Sequence, residues 1–169
     1  MRTLEDIIKD DLRVLFCGIN PGLKAFLDGH HFTGRGNRFW RALHLSGFTP
    51  HEIAPENDRT LLEYGCGLTT FVERPTAGAD ELTKNEFDAS AGLFYRKIER
   101  FRPRHIVFLG KQAFQSLSGE KTIPWGLQAL KISDIPVWVL PNPSGRNRGF
   151  TLEVLVLAYR QAYLTTRHA

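Results

Sequence analysis

Two short stretches constrain this chain more than any others. In Phe16-Cys17-Gly18-Ile19-Asn20-Pro21-Gly22, an apolar strand spanning Arg13 to Cys17 runs into glycine, asparagine and proline. In Val137-Trp138-Val139-Leu140-Pro141-Asn142-Pro143-Ser144-Gly145, a second strand of buried type is stopped by prolines around a single Asn. Proline has no N–H to continue a ladder, so each strand ends there and its last residues become an elbow. Each elbow presents one short amide side chain. In an open α/β sheet, ligands bind in the crevice beyond the carboxyl ends of the strands, so two such elbows on neighbouring strands can face one pocket.

The remainder of the chain alternates between strand and helix patterns. Leu4 to Lys9 reads as a short helix before the first strand, and Gly18 to Gly36 reads as a long Gly-rich loop. Loops of that length inside a compact domain are more often functional than idle. Asn37 begins a helix whose apolar side is Phe39, Trp40, Leu43 and Leu45, with Gly47 suited to its end. Asn57 to Tyr64 looks helical and Leu68 to Val72 extended. Phe87, Ala91, Phe94, Ile98 and Phe101 fall on one helical stripe that Pro103 terminates. His105 to Leu109 is a continuous apolar run of parallel-strand type, followed by a helix over Lys111 to Leu117. Pro136 to Leu140 forms the last strand, and Leu152, Leu155, Val156, Tyr159 and Tyr163 line a closing helix. The expectation is an α/β fold: a single three-layer α/β/α domain over residues 1–169 with a largely parallel central sheet.

Composition narrows the chemistry. A 169-residue chain with 42% hydrophobic residues fits one domain, and a domain of that size buries roughly two-thirds of its unfolded surface. The net charge of +4 permits nucleic-acid binding without demanding it. Cys17 and Cys66 form no Cys-x-x-Cys pair, which points to a reducing compartment rather than a disulfide framework or a zinc site. Charges at Arg2, Glu5, Asp6, Lys9, Asp10 and Asp11 interrupt any signal-peptide core, and no run reaches transmembrane length. A cytoplasmic chain without membrane contact is expected. The first elbow has neither Gly-x-Gly-x-x-Gly spacing nor a Lys-Ser/Thr ending, and no Gly-x-Ser-x-Gly motif supplies a nucleophile. Adjacent His30 and His31 diverge and lack a carboxylate at helical spacing, so neither a metal nor another cofactor is expected.

Five blocks then fall in a recognisable order: Gly18 to Gly22, Asn37-Arg38-Phe39-Trp40, Val72-Glu73-Arg74-Pro75-Thr76, Leu109-Gly110-Lys111-Gln112-Ala113 and Leu140 to Gly145. In these the chain resembles the mismatch-specific uracil-DNA and thymine-DNA glycosylases, a branch of the uracil-DNA glycosylase superfamily. Gly29-His30-His31-Phe32 is most similar to the thymine-DNA members, whereas the Asn-Pro-Ser-Gly elbow looks like the bacterial mismatch-specific enzymes.

The resemblance implies a uracil-DNA glycosylase-like fold and hydrolysis of the bond between base and deoxyribose. By that likeness Asn20 positions the attacking water, and Phe32 stacks on a base extruded from the duplex. Gly18, Ile19, Ala25, His31, Thr70 and Asn142 surround the base, with Ile19 offering its backbone groups; Gly145-Arg146-Asn147-Arg148-Gly149 enters the duplex and fills the gap, and Ser144 is placed to donate to phosphate. A neutral amide is too weak a base to deprotonate water at pH 7, so the glycosidic bond must be largely broken before attack. Three positions depart from the relatives. Arg146 stands where bacterial members commonly carry an apolar wedge, Thr70 where they often have Lys and the thymine-DNA members Asn, and Asp88 is a carboxylate without a counterpart, in the first place a solvated helix-start Asp and in the second a candidate auxiliary base. The expected activity is monofunctional excision of uracil, chiefly opposite guanine, with ethenocytosine and slow thymine removal alongside. The partner is double-stranded DNA carrying uracil or mismatched bases, met by a monomer associated with the nucleoid. Two other readings stand beside it: a non-catalytic α/β module that binds extruded or mismatched bases, and a small-molecule nucleosidase, which the Arg146 to Arg148 loop disfavours.

Overall fold

The structure is a computed structural model that describes residues 3–168. Five strands, β1 (Val14–Gly18), β2 (Cys66–Thr70), β3 (Ile106–Leu109), β4 (Gly126–Leu127) and β5 (Val137–Leu140), form one sheet in the order β2-β1-β3-β5-β4. All neighbours run parallel except β4, which pairs antiparallel with β5. Among the described residues, five α-helices surround the sheet: α1 (Leu23–Asp28), α2 (Phe39–Ser46), α3 (Lys84–Phe101), α4 (Gln112–Ser118) and α5 (Leu152–Thr166).

Side chains alternate across the strands and so divide the core into two layers. Val14, Phe16, Val107, Leu109, Trp138 and Leu140 face one way and pack with Phe39, Trp40 and Leu43 of α2 and Leu155 and Tyr159 of α5. Leu15, Cys17, Ile106, Phe108, Val137 and Val139 face the other, against Phe87, Phe94 and Ile98 of α3 and Ala113 and Phe114 of α4. The three-layer expectation holds. Strand order reverses between β1 and β3: the chain leaves β1 for β2 on one side and returns to β3 on the other. That switch opens a crevice at the sheet's carboxyl edge.

Several local expectations give way to tertiary context. Leu4 to Lys9 is not a helix. Ile7 instead exchanges backbone hydrogen bonds with Leu68, N–H to carbonyl at 2.9 Å and carbonyl from N–H at 2.8 Å, as an antiparallel bridge along the edge of β2. An open strand edge has unpaired donors and acceptors, and covering it outweighs a six-residue helical propensity. The Gly18–Gly36 loop contains the short helix α1, ended by Gly29 in the left-handed region at φ 76°. Helix α2 begins at Phe39, whose N–H is accepted by Asn37 Oδ1 at 2.9 Å, and Leu45 faces solvent rather than the core. The Asn57–Tyr64 helix is a 3-10 segment over Pro55–Tyr64. Strand β2 starts two residues earlier than Leu68, and beyond its end Phe71 and Val72 still donate to the carbonyls of Gly18 and Ile19. The two-residue β4 leaves no periodic signature to read.

Gly67 marks where the amino-terminal segment crosses β2. A Cβ there would stand 2.4 Å from the Ile7 carbonyl oxygen and 2.5 Å from Leu12 Cδ1. Gly67→Ala is expected to destabilise the fold by about 2–3 kcal/mol through overpacking against backbone. Urea denaturation measures the loss, and faster amide exchange at Ile7 locates it.

Candidate active site

An open cleft of about 1190 Å³ lies at the carboxyl ends of β1, β2, β3 and β5. It gathers both elbows: Gly18, Ile19, Asn20, Ala25, His31, Phe32 and Thr70 line one part, and Asn142 with Ser144 to Arg148 the other. Gly110, past the end of β3, adopts φ 103°, and a Cβ on it would stand 3.1 Å from Ile19 Cδ1. The floor at the β1/β3 switch is therefore closed by Ile19 against a glycine.

Asn20 is held by its nitrogen. Nδ2 donates to the Arg74 carbonyl and to Thr76 Oγ1, both at 2.8 Å. The Thr76 hydroxyl donates in turn to the Gly78 carbonyl at 2.8 Å, so its oxygen can only accept from Asn20. Both acceptors fix which end of the amide is nitrogen. Oδ1 is left as the acceptor for a ligand or water in the cleft. The clamp extends outward, because the Arg74 guanidinium pairs with Glu86, and Glu86 caps α3 through the Thr83 N–H at 2.8 Å. Arg74 and the Thr83 backbone hold the Glu86 carboxyl down to about 2. Its folded-state value is depressed, so the clamp is intact above the ordinary carboxylate range and is lost only as pH falls towards that value.

Phe32 takes a left-handed backbone conformation, φ 57°, uncommon for a residue with a side chain and characteristic of functional loops. Its ring stacks on Phe39 at 4.3 Å between centroids, and its Cζ lies 3.6 Å from where a Gly18 side chain would begin. The loop is pinned from behind. The His31 N–H donates to Asp58 Oδ2 at 3.0 Å, its carbonyl accepts from Trp40 Nε1 at 3.0 Å, and its Nε2 meets the Glu5 carbonyl at 2.7 Å. A carbonyl partner requires Nε2–H, and burial lowers the ring's pKa, so His31 is neutral and anchors the loop as well as lining the cleft.

The second elbow is more self-contained than its sequence suggests. Asn142 Oδ1 accepts from the Ser144 N–H at 2.9 Å, an Asx turn, leaving Nδ2 as the end of that amide available to a ligand. Asn147 Nδ2 donates to the Asn142 carbonyl at 2.9 Å, so Asn147 braces the loop. Ser144 Oγ accepts from the Arg146 N–H at 3.2 Å. Arg146 and Arg148 are exposed. Arg146 reaches across the cleft mouth: a Cβ on Gly78 would stand 2.7 Å from its Nη1. Likewise, the Ile19 carbonyl already accepts from the Val72 N–H at 2.9 Å, which narrows what its backbone can offer a base.

Asp88 is not brought into the cleft. It lies on the exposed face of α3, where its oxygens meet Lys84 Nζ at 2.9 Å and Ser116 Oγ at 3.1 Å. Hydrogen bonds from Lys84 and Ser116 lower its pKa, so it is ionised as a base must be, with its lone pairs shared between two donors.

Sequence reasoning missed Arg38. Its side chain donates to the carbonyls of Pro143 (3.3 Å), Ser144 (2.8 Å), Asn147 (3.2 Å) and Phe150, while its own N–H donates to Pro143 at 3.0 Å. Arg38 falls inside the Asn37-Arg38-Phe39-Trp40 block, but an arginine between Asn37 and an apolar helix face is ordinarily a solvated side chain.

The chain matches the Uracil DNA glycosylase superfamily over residues 5–164. It belongs to that superfamily. Membership implies uracil DNA glycosylase activity, the hydrolysis of an N-glycosidic bond in DNA. Among solved structures, a candidate uracil DNA glycosylase from Methanosarcina acetivorans, determined by solution NMR, is similar in fold. Its TM-score is 0.59 at 20% identity, covering 95% of this chain and 96% of that one. No described helix is long and apolar enough to cross a membrane.

Arg38→Lys keeps the charge but cannot span the carbonyls that a planar guanidinium reaches. It is expected to weaken duplex binding about tenfold, on the scale of one charge-assisted hydrogen bond, and to raise KM more than it lowers kcat. Steady-state kinetics with a uracil-containing duplex separate the two.

Proposed function

We propose that this superfamily member is a monofunctional, mismatch-directed uracil-DNA glycosylase that removes uracil, chiefly opposite guanine, and leaves an abasic site. Ethenocytosine and, slowly, thymine are further substrates, and the protein works as a cytoplasmic, nucleoid-associated monomer. The observation that carries this reading is the amide of Asn20, with its nitrogen bonded to two acceptors and Oδ1 left to accept, in a cleft that Asn20 lines together with Phe32.

The target nucleotide leaves the duplex and its base stacks on Phe32, which returns part of the unstacking cost. The C1′–N1 bond breaks with its electron pair going to the base, giving a uracil anion and an oxocarbenium-like sugar. Water held by Asn20 Oδ1 adds through oxygen to C1′ and releases its proton to solvent. A clamped amide places that water without reorganising during the reaction. Arg146 occupies the vacated space, stacking its guanidinium plane and donating to the orphaned guanine, while Arg148 contacts phosphate. Asp88 can assist only if a substrate draws it from Lys84 and Ser116. Asp88→Asn with an unchanged single-turnover rate removes it from the mechanism.

Asn20→Ala is expected to lower base release about 10²–10³-fold, the scale of losing one preorganised polar group, while binding to abasic-site duplex stays within a few-fold. A variant that binds normally and retains full activity defeats the assignment. A wild-type protein that binds uracil duplex but never yields alkali-labile sites is a base-binding module instead. Arg146→Ala should reduce the preference for guanine over adenine opposite uracil, whereas Arg148→Ala should weaken all duplexes alike.

Thymine differs from uracil by one methyl group, and Ala25, small and buried, lines the cleft without an aromatic barrier. Contact with one methyl group discriminates by only ~1–3 kcal/mol. The methyl group also makes thymine the poorer leaving anion. Single-turnover rates should therefore rank 5-fluorouracil above uracil above thymine. Equal rates for 5-fluorouracil and uracil would mean that bond cleavage does not limit turnover.

A further inference from the structure

Of the chain's three tryptophans, Trp40 and Trp138 are buried at 5% and 6% exposure, while Trp125 is 42% exposed. Trp125 lines the cleft together with Lys111, which follows Gly110 past the carboxyl end of β3. The Lys111 ammonium lies 4.3 Å from the centroid of the Trp125 ring. Phe150, which closes the Arg146–Arg148 loop, meets the same indole edge-on at 5.4 Å and 81°. Lys24, Lys84 and Lys97 each pair with an aspartate. Lys111 pairs with no carboxylate among the described residues and rests on an indole instead.

A cation parked on an exposed aromatic ring is weakly held, and a lysine stem is long and flexible enough to carry its charge to an incoming anion. The indole is backed by Phe150, whose carbonyl is one of those held by Arg38, so the platform has a fixed footing. We propose that Lys111 and Trp125 form a strand-binding subsite for the nucleotide flanking the one in the base pocket. The ammonium takes that nucleotide's phosphate, and the indole face it uncovers packs against the attached nucleotide. Stacking on an aromatic face is tolerant of base identity, so the subsite contributes affinity and register rather than lesion choice. This inference rests on the reading of the cleft as a DNA site.

The test uses a duplex containing a non-cleavable abasic analogue, titrated at several salt concentrations while tryptophan emission is followed. Wild-type emission should change on binding, because the one exposed indole loses its cation and gains a nucleotide, and the change should vanish in Trp125→Phe. Lys111→Met should reduce the slope of log affinity against log salt by about 0.9, which at 0.1 M salt amounts to about an eightfold loss relative to a 1 M reference. The loss should be the same for guanine and adenine opposite the lesion. Uracil release by the wild-type protein together with an unchanged slope in Lys111→Met and an emission change that survives in Trp125→Phe overturns the subsite alone. Binding with the expected signatures but no uracil release sustains the subsite and defeats the glycosylase reading. Failure of the wild-type protein to bind the duplex overturns both.

Discussion

The cleft depends on one guanidinium. Arg38 sits just before α2, a helix fixed to the sheet by Phe39, Trp40 and Leu43, and sends hydrogen bonds to four carbonyls between Pro143 and Phe150. Loops at strand ends have surface backbone groups that water would otherwise satisfy, and nothing in the strand itself dictates their path. Arginine suits the task because its donors are fixed in one plane, so a single side chain sets several backbone directions at once. The glycines reinforce the join: a Cβ on Gly145 would stand 3.0 Å from the Gly36 carbonyl oxygen, so the two loops touch backbone to backbone. Without that contact the two elbows would be separate turns on one sheet. With it, they are opposite walls of one cleft.

A second chain of bonds fixes the opposite wall. It begins at the capping box of α3, where Thr83 and Glu86 satisfy each other's backbone N–H groups, and passes through Arg74 to the Asn20 amide. A helix cap is ordinarily a local device. Here the same Glu86 carboxylate also holds Arg74, so a residue concerned with starting a helix also orients the amide at the site. The surface ion pair contributes little to stability on its own, being exposed and screened. Its effect is directional, since it keeps the Arg74 carbonyl turned towards Asn20 Nδ2.

The architecture was legible in the sequence because each sheet layer writes its own period. The apolar runs at β1, β3 and β5 and the stripe Phe87, Phe94, Ile98 need no tertiary knowledge to interpret, and both elbows announced themselves by proline. What could not be read was whatever depends on a partner distant in the chain. Leu4, Ile7 and Ile8 carry helical spacing, yet the segment is not helical and Ile7 bridges the edge of β2 at Leu68. Nothing in the sequence singled out the contacts of Arg38 and Trp125, because their partners lie far along the chain. Asn142 does two things at once: it lines the cleft, and its Oδ1 closes an Asx turn by accepting from the Ser144 N–H, which leaves only Nδ2 for a ligand. Asp88 lies on the solvent face of α3, outside the cleft, because its partners Lys84 and Ser116 hold it there, which no spacing in the sequence displays.

These two walls differ in a way that bears on catalysis. The Asn20 wall is locked through carbonyl acceptors, a threonine relay and a carboxylate that stays ionised far below neutral pH. The Arg146 wall ends in exposed cationic side chains whose backbone alone is fixed. A group that must place a water against a transient, strongly electrophilic carbon works best with no freedom to move, because any reorganisation would be paid during the lifetime of the intermediate. A group that must thread into a duplex works best with a rigid base and a mobile tip, since each sequence and opposing base presents a slightly different gap. With the roles proposed above for Asn20 and Arg146, the division of the cleft into a neutral, immobile amide side and a charged, adaptable arginine side answers these opposite requirements, and both sides are built on parallel strands of the same sheet.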